Sequence, residues 1–239
     1  MPIDVLLSSQ RGKTELEWLH SYHSFSFGQY FDPKRIGFGP LRVFNEDTLE
    51  PKAGFAPHPH DNMEIVTIIL EGSLEHRDSA RNQGILKRGD IQRMSAGSGI
   101  RHSEYNASEQ EKVHFLQIWI QPFLKDLPPS YEQHHFEEND FSNRLALIVS
   151  PTSSEKNLLI HQESFFYLCR LDREKSIKHP LTSSDHGLYL FLISGKIKIK
   201  DRVLSPKDSA EIREESALEI EAAEDSFFLL VELPLSFTQ

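Results

Sequence analysis

The stretch HPHDNME at residues 58–64, with HSE at residues 102–104 further along the chain, indicates how this protein folds. Each segment holds two potential metal ligands that are two residues apart. In an extended strand such residues point to the same face. If the two strands are neighbours, three imidazoles and one carboxylate converge. The candidate ligands are His58, His60, His102 and Glu104.

This donor set suits a divalent transition metal and leaves coordination positions free on an octahedral ion. Neutral imidazole binds Fe(II), Co(II), Ni(II), Cu(II) and Zn(II), and the absence of thiolates argues against a closed structural zinc site. Gly54 precedes the first pair, and Gly97 and Gly99 precede the second, so the backbone can turn tightly into both strands. The alternative is chance, because the chain has 12 histidines and a single His-x-His is common.

Beta-strand signals dominate the rest of the chain. Residues 65–70 form a β-branched run that ends at Glu71-Gly72-Ser73, and residues 113–120 form a second apolar run rich in strand formers. Many short strands separated by glycine turns predict an all-β fold of the jelly-roll barrel kind.

The pattern then repeats. An apolar run at residues 188–193 leads into Ser194-Gly195-Lys196 and an alternating strand, in the same order as residues 65–77. We interpret this as a degenerate internal repeat. The predicted domains are residues 1–123, which bind the metal, a surface linker at 124–143, and residues 144–239, a second barrel that lacks the metal ligands.

Composition limits the possible functions. The chain has 239 residues, a net charge of -10 and a single cysteine, Cys169. The acidic charge argues against direct nucleic-acid binding. No apolar run reaches the roughly 20 residues that span a bilayer, and the N-terminus does not read as a secretory signal. We therefore expect a cytoplasmic protein with no membrane partner, with a monomer slightly favoured.

Two long motifs carry a family resemblance. Residues 58–72 resemble the first cupin motif, and residues 89–104 resemble the second motif in the form found in pirins. Residues 21–27 and 38–43 are also similar to the pirin N-terminus. The likeness is dense from about Trp18 to Pro122 and weaker beyond.

This resemblance implies a bicupin, that is, two jelly-roll barrels in one chain with an iron-type site in the first. It assigns the ligands to the same four residues. Glu64 takes the place of the first-motif glutamate, which is a ligand in many cupins but not in pirins, so we consider it a possible orienter of a ligand histidine. Bacterial pirins resemble quercetin 2,3-dioxygenases, whereas eukaryotic pirin is regarded as a nuclear, iron-dependent transcription cofactor.

Two functions follow from the resemblance. The first is a dioxygenase that opens a flavonol-type aromatic ring with O2 at one divalent metal, with Fe(II) as first choice and Zn, Ni, Mn, Co or Cu as alternatives. Glu104 would then be catalytic, either staying ligated or accepting the substrate hydroxyl proton. The alternative is a non-catalytic module whose metal state controls binding of a protein partner. A third reading makes turnover a side reaction of a pocket with a different natural ligand.

Several other residues invite a prediction. His20 and His23 are candidates for lining a pocket, and Cys169 is expected in the core. We expect five histidines outside the motifs to be solvent-exposed: His134, His135, His161, His179 and His186. Four phenylalanines are candidates either for an apolar pocket mouth or for ordinary core positions: Phe25, Phe27, Phe38 and Phe44.

Overall fold

The computed structural model describes residues 3–236, and these residues form strands with two short 3-10 turns at Ser8–Gln10 and Glu138–Phe141. The strands are β1 (Ile3–Leu6), β2 (Gly12–Glu15), β3 (Leu19–His23), β4 (Leu41–Leu49), β5 (Gly54–His60), β6 (Glu64–Glu71), β7 (Ser73–Asp78), β8 (Gln83–Lys87), β9 (Asp90–Ser95), β10 (Ile100–Asn106), β11 (Val113–Ile120), β12 (Ser130–His135), β13 (Ala146–Ser150), β14 (Leu158–Leu159), β15 (Phe165–Leu171), β16 (Ser176–Pro180), β17 (His186–Ser194), β18 (Ile197–Ile199), β19 (Arg202–Leu204), β20 (Ser209–Ile212), β21 (Ala217–Ala222) and β22 (Ser226–Pro234).

Two sheets form the first barrel. One has the order β12-β9-β6-β11-β4-β3-β2, and the other has the order β5-β10-β7-β8. The neighbours β6 and β11 pair antiparallel along most of their length, as do β5 and β10. The β-branched run in β6 is buried on both faces, which explains its continuous apolar character.

The second barrel repeats this arrangement. Its sheets have the orders β1-β20-β17-β22-β15-β13-β14 and β16-β21-β18-β19. Strand for strand, β16, β21, β17 and β22 take the places of β5, β10, β6 and β11. The prediction of an all-β chain with two like barrels is confirmed.

The two large sheets pack against each other and join the barrels. Their shared core includes Val66 and Ile118 from the first barrel and Phe191, Leu229 and Val231 from the second. Alternate residues of the same strands point into the barrels, so Leu190 and Leu230 fill the second barrel interior. The barrels are thus held by apolar contact over a broad face.

The strand pairing departs from the predicted organisation at two places. Residues 124–143 were predicted to be a surface linker, but β12 lies within them and pairs with β9 of the first barrel. Strand β1, at the start of the chain, pairs with β20 of the second barrel. The sequence around β12 is polar on both faces, so it carried no strand signal. The outer bounds of the two domains stay a prediction.

Within the described residues, no helix is long and apolar enough to cross a membrane.

Candidate metal centre

The predicted ligands lie on two paired strands. His58 and His60 are on β5, and His102 and Glu104 are on β10; the two strands pair antiparallel with His102 opposite His58. A register shift between His102 and Glu104 marks an irregularity in the ladder. Gly54 begins β5 where a Cβ atom would come within 2.2 Å of the Glu104 carbonyl oxygen, so only glycine permits this close pairing.

Three imidazole rings converge at this point. The ring centroids are 4.8 Å apart for His58 and His60, 4.5 Å for His58 and His102, and 4.9 Å for His60 and His102. Their ligand nitrogens all lie within 4.8 Å of one another. The structure therefore brings together the three predicted histidines in a geometry that can hold a metal ion.

The histidines are prepared as ligands. His58 donates a hydrogen bond from Nδ1 to the Ala56 carbonyl oxygen at 2.9 Å, which leaves Nε2 free. Burial, followed by the neighbouring imidazoles, lowers the pKa of His60 and of His102 to about 3. Both rings are neutral at physiological pH, which is the form that binds metals.

Glu104 lies beside them inside the barrel. Its Oε2 accepts a hydrogen bond from Gln117 Nε2 at 2.8 Å, and Gln117 in turn accepts one from Thr67 at 2.9 Å. Within the part of the chain that the structure describes, its Oε1 is buried without a hydrogen-bond partner, as are both ring nitrogens of His102. Burial raises the pKa of Glu104, partly offset by His76 and Gln117. Buried oxygen and nitrogen atoms that lack hydrogen-bond partners fit a cation, because their lone pairs would bind it.

His76 was missed by the sequence analysis. It is fully buried on β7, opposite Glu104 on β10, and its ring centroid is 5.3 Å from that of His102. His76, His102 and Glu104 form a second group of ligand atoms within 4.8 Å of one another. His76 Nε2 donates to Asp78 Oδ2 at 3.3 Å, whereas Nδ1 has no partner. The spacing of His76 and Asp78 repeats the two-residue spacing of the other ligand pairs and could have revealed it.

The two groups share His102, and Glu104 lies on the His76 side of the histidine cluster. The set of His58, His60, His102 and Glu104 as joint ligands of one ion stays a prediction.

A cavity of about 560 Å³ opens over His58, His60 and Glu104. Its apolar walls include Phe27, Phe55 and Trp119. The Trp119 ring meets His60 edge to face at a centroid distance of 4.8 Å, and Phe27 meets Trp119 at 5.5 Å. Flat aromatic walls beside polar ligands are typical of a site for an aromatic molecule.

One side of the cavity is polar. His23 lines it and donates from Nδ1 to Asn45 Oδ1 at 2.8 Å, while Thr14 Oγ1 donates to Nε2 at 2.8 Å. Asp47 is buried beside them and accepts a hydrogen bond from Ser21. Burial raises the pKa of Asp47 to about 7; the Ser21 bond lowers it and the Glu104 charge raises it.

Of the other residues predicted to line a pocket, some do so and others do not. His23 and Phe27 line the cavity, whereas Phe25, Phe38 and Phe44 are buried in the core between the barrels. His20 is half-buried on β3 and does not line the cavity, although its neighbours Leu19 and Ser21 do.

Glu64 does not orient a ligand histidine, as had been considered. It accepts a hydrogen bond from Ser95 Oγ at 2.9 Å, and His161 Nδ1 lies 3.3 Å from its Oε1. His161 belongs to the second half of the chain, so Glu64 connects the two halves across their interface.

The prediction that His179 and His186 are solvent-exposed was wrong, because both are buried in the second barrel. His161 is half-buried, His134 is partly exposed and His135 is exposed. The buried pair has no local pattern, because its partner Glu232 lies far along the chain.

These features define a class of protein. Two jelly-roll barrels in tandem, with a histidine cluster at the mouth of the first, form a bicupin with a candidate metal centre. A model of the Pirin family matches residues 5–120, and a model described as the quercetinase C-terminal cupin domain matches residues 147–233. The chain belongs to the pirin family.

Known relatives extend over nearly the whole chain. It is 39% identical to a quercetin 2,3-dioxygenase of Escherichia coli K12 over 95% of this chain and 96% of that protein. It is 36% identical to a pirin-like protein of Caulobacter vibrioides over 97% of each chain. The crystal structure of the Escherichia coli pirin YhhW in complex with nickel(II) superposes with a TM-score of 0.93, at 38% identity, over 98% of this chain and 100% of that one.

Proposed function

We propose that this protein is a metal-dependent dioxygenase of the quercetin 2,3-dioxygenase type, which opens the ring of a flavonol-like substrate with O2. The observation that carries the proposal is the cluster of His58, His60 and His102, of which His58 and His60 line an aromatic-walled cavity of about 560 Å³. The relative named quercetin 2,3-dioxygenase supports the same activity.

The donors fit a divalent transition metal, and we propose that His58, His60, His102 and Glu104 hold it. When bound, the metal would supply Lewis acidity and open coordination positions. Fe(II) is our first choice, and Ni, Zn, Mn, Co and Cu are alternatives; the related YhhW structure contains nickel(II). We further propose a cytoplasmic monomer, in keeping with the buried, unpaired Cys169.

The cavity walls would orient the substrate. Phe27, Phe55 and Trp119 present aromatic surfaces to a flat ring system, and the volume lies within the roughly 300–1,000 Å³ typical of sites for drug-sized molecules. Burial of the substrate rings against these side chains would exclude water from the reacting carbon atoms. Hydroxyl groups on the far ring would meet His23 and Asn45.

Two carboxyl groups are placed to take the proton of the enolic hydroxyl. Glu104 would accept the proton when it is released from the metal, and burial raises its pKa, so the released carboxylate is a stronger base than an exposed glutamate. Asp47 has a pKa of about 7 and lines the same cavity, so it would exchange protons near neutral pH. We assign the proton transfer to Glu104, with Asp47 as the group that receives the proton next.

The test is quercetin-dependent O2 uptake by protein reconstituted anaerobically with Fe(II). We expect uptake in the wild type and its loss in His102→Ala. His135→Ala is the matched control, because it removes an imidazole that is exposed and outside the cavity. Absence of uptake by wild-type protein that holds one metal ion per chain would contradict the proposal.

A further inference from the structure

A second cavity, of about 220 Å³, lies where the two barrels meet. Its floor is apolar and is built from both halves of the chain: Ile68, Ile91, Phe136, Phe141, Leu168 and Phe227. It shares no lining residue with the cavity over the metal centre within the part of the chain that the structure describes. A site here would therefore be separate from the proposed catalytic centre.

Two arginines stand at its mouth. Arg88 Nη2 contacts Glu138 Oε1 at 2.5 Å, and Arg170 Nη2 lies 3.6 Å from the same oxygen. The Arg170 guanidinium carbon is 4.2 Å from the centre of the Phe227 ring, so a cation–π contact holds the charge at the cavity floor. His135 and Glu137 complete the charged rim.

Arg170 has an unused donor. Its Nε is buried and has no hydrogen-bond partner among the described residues, although a guanidinium normally satisfies its N–H groups when they are removed from water. Nε and Nη2 on one edge of a guanidinium form a fork that matches a carboxylate. Among residues 3–236, the carboxylate that approaches this fork is that of the exposed Glu138, at 3.6 Å from Arg170 Nη2.

We propose that this cavity, here called the inter-barrel cavity, binds a small aromatic carboxylate. The ring lies on the apolar floor beside the stacked Arg170 and Phe227 side chains, and the carboxylate replaces Glu138 between Arg88 and Arg170. The volume is below the roughly 300–1,000 Å³ of sites for drug-sized ligands, so a single-ring acid is the class that fits. Charge complementarity with two arginines selects the anion over a neutral ring.

The probe is 4-fluorobenzoate, and its binding to the full chain is followed by ¹⁹F NMR titration. Arg170→Gln removes the charge but keeps a side chain of moderate length, and we expect it to weaken binding by about tenfold or more. Arg173→Gln is the matched control, because Arg173 is exposed and lies outside the inter-barrel cavity. 4-Fluorobenzyl alcohol, which lacks the charge, should bind more weakly than the acid.

Glu138→Gln should change the affinity for 4-fluorobenzoate in the opposite direction from Arg170→Gln. It removes the carboxylate that competes for the arginines, so we expect 4-fluorobenzoate to bind more tightly. This variant changes an exposed side chain and leaves the core intact, so it keeps the proposal testable if Arg170→Gln fails to fold.

The His102→Ala variant tests whether the probe binds in the inter-barrel cavity or at the candidate metal centre. We expect it to bind the probe as the wild type does. Three results would each overturn the proposal: probe binding lost in His102→Ala, equal binding in Arg170→Gln and wild type, or binding in Glu138→Gln no tighter than in wild type. Since none of these measurements uses turnover, they are independent of the proposed oxygenase activity.

Discussion

The two barrels have the same strand order, but at corresponding positions the interior of the first barrel is polar and that of the second is apolar. Between the paired strands β6 and β11, the first barrel places Thr67 opposite Gln117, which supports Glu104. Between the corresponding strands β17 and β22, the second barrel places Leu190 opposite Leu230, both in its apolar core. The first barrel therefore has polar side chains beside the candidate ligands, whereas the second is filled by apolar side chains.

The second barrel nevertheless has buried histidines. His179 on β16 and His186 on β17 donate to the two oxygens of Glu232 at 2.7 and 2.9 Å. The backbone N–H of Thr182 donates to the same carboxylate at 2.6 Å, and its hydroxyl also donates. Burial raises the pKa of Glu232, but these hydrogen bonds outweigh it and lower the pKa to about 2.

The comparison shows that residue type does not by itself make a metal centre. Both barrels bury imidazoles beside a carboxylate. Among the described residues, the first barrel has a Glu104 oxygen and both ring nitrogens of His102 buried without hydrogen-bond partners. In the second, the cluster of His179, His186 and Glu232 has one such atom, His186 Nε2, and both oxygens of Glu232 accept hydrogen bonds. A cation would satisfy the first set and would have to break the second. For this reason we retain the prediction that the metal belongs to the first barrel.

The largest expected difference is in metal content. His102→Ala should weaken metal binding by more than about a hundredfold, because loss of an orienting partner alone can reduce affinity 10–100-fold. His179→Ala should leave the metal content unchanged. Metal analysis of both variants after dialysis is the measurement, and equal metal loss in both would break the distinction between the barrels.

The matched substitutions Glu104→Gln and Glu232→Gln should have different effects on the free energy of unfolding. In metal-free protein at neutral pH, Glu232→Gln should lower the free energy of unfolding by about 2–3 kcal/mol, because it removes hydrogen bonds to a buried charge. Glu104→Gln should be neutral or slightly stabilising, since burial disfavours its charge. Urea unfolding measures both, and a larger loss for Glu104→Gln would reverse the interpretation.

A smaller difference concerns the residues that support each carboxylate. Gln117→Leu should weaken metal binding by about tenfold, because Glu104 loses its orienting partner. Thr182→Val should instead cost about 1 kcal/mol of stability without changing metal affinity. Metal titration and urea unfolding of each variant provide the check; metal affinity that falls with Thr182→Val would argue for a coupled pair of sites.

A last difference is a pH dependence of stability that has opposite signs for Glu232 and Asp47. Glu232 has a pKa lowered from 4.5 to about 2, so its stabilisation is present above pH 4.5 and is lost as the pH falls toward 2. Asp47 has a pKa raised from 3.8 to about 7, so its contribution is present below pH 3.8 and is lost as the pH rises through 7.

Urea unfolding of metal-free protein over this pH range tests both signs. The deficit of Glu232→Gln relative to wild type should shrink as the pH approaches 2. Asp47→Asn should be more stable than wild type at pH 8 and similar to it at pH 4. A deficit for Asp47→Asn that grows with pH would show that the carboxylate of Asp47 is stabilised in the folded protein.

Much of the candidate site was predictable because it depends on local geometry. Two-residue spacing in a strand puts side chains on one face, and this rule placed His58 with His60 and His102 with Glu104 on the correct strands. His76 obeyed the same rule with Asp78 but was not recognised, because residues 65–77 were considered only as part of the internal repeat.

Other features depend on contacts between distant parts of the chain. The His179–Glu232–His186 cluster combines three separate strands, and nothing in the sequence near any one residue indicates the other two. The role of Glu64 was hidden for the same reason, because its partner His161 comes from the other barrel. Tertiary packing, rather than residue type, decides such positions.

The exchange of edge strands has a consequence for how this chain is made. Strand β1 precedes the first barrel but completes the sheet of the second, while β12 precedes the second barrel and completes the sheet of the first. Residues 3–6 therefore cannot pair until residues 209–212 have been synthesised. At common synthesis rates of about 5–20 residues per second, this delay is roughly 10–40 s. A fragment that begins after β12 would expose the bare edge of β20, which makes the isolated second half prone to aggregation.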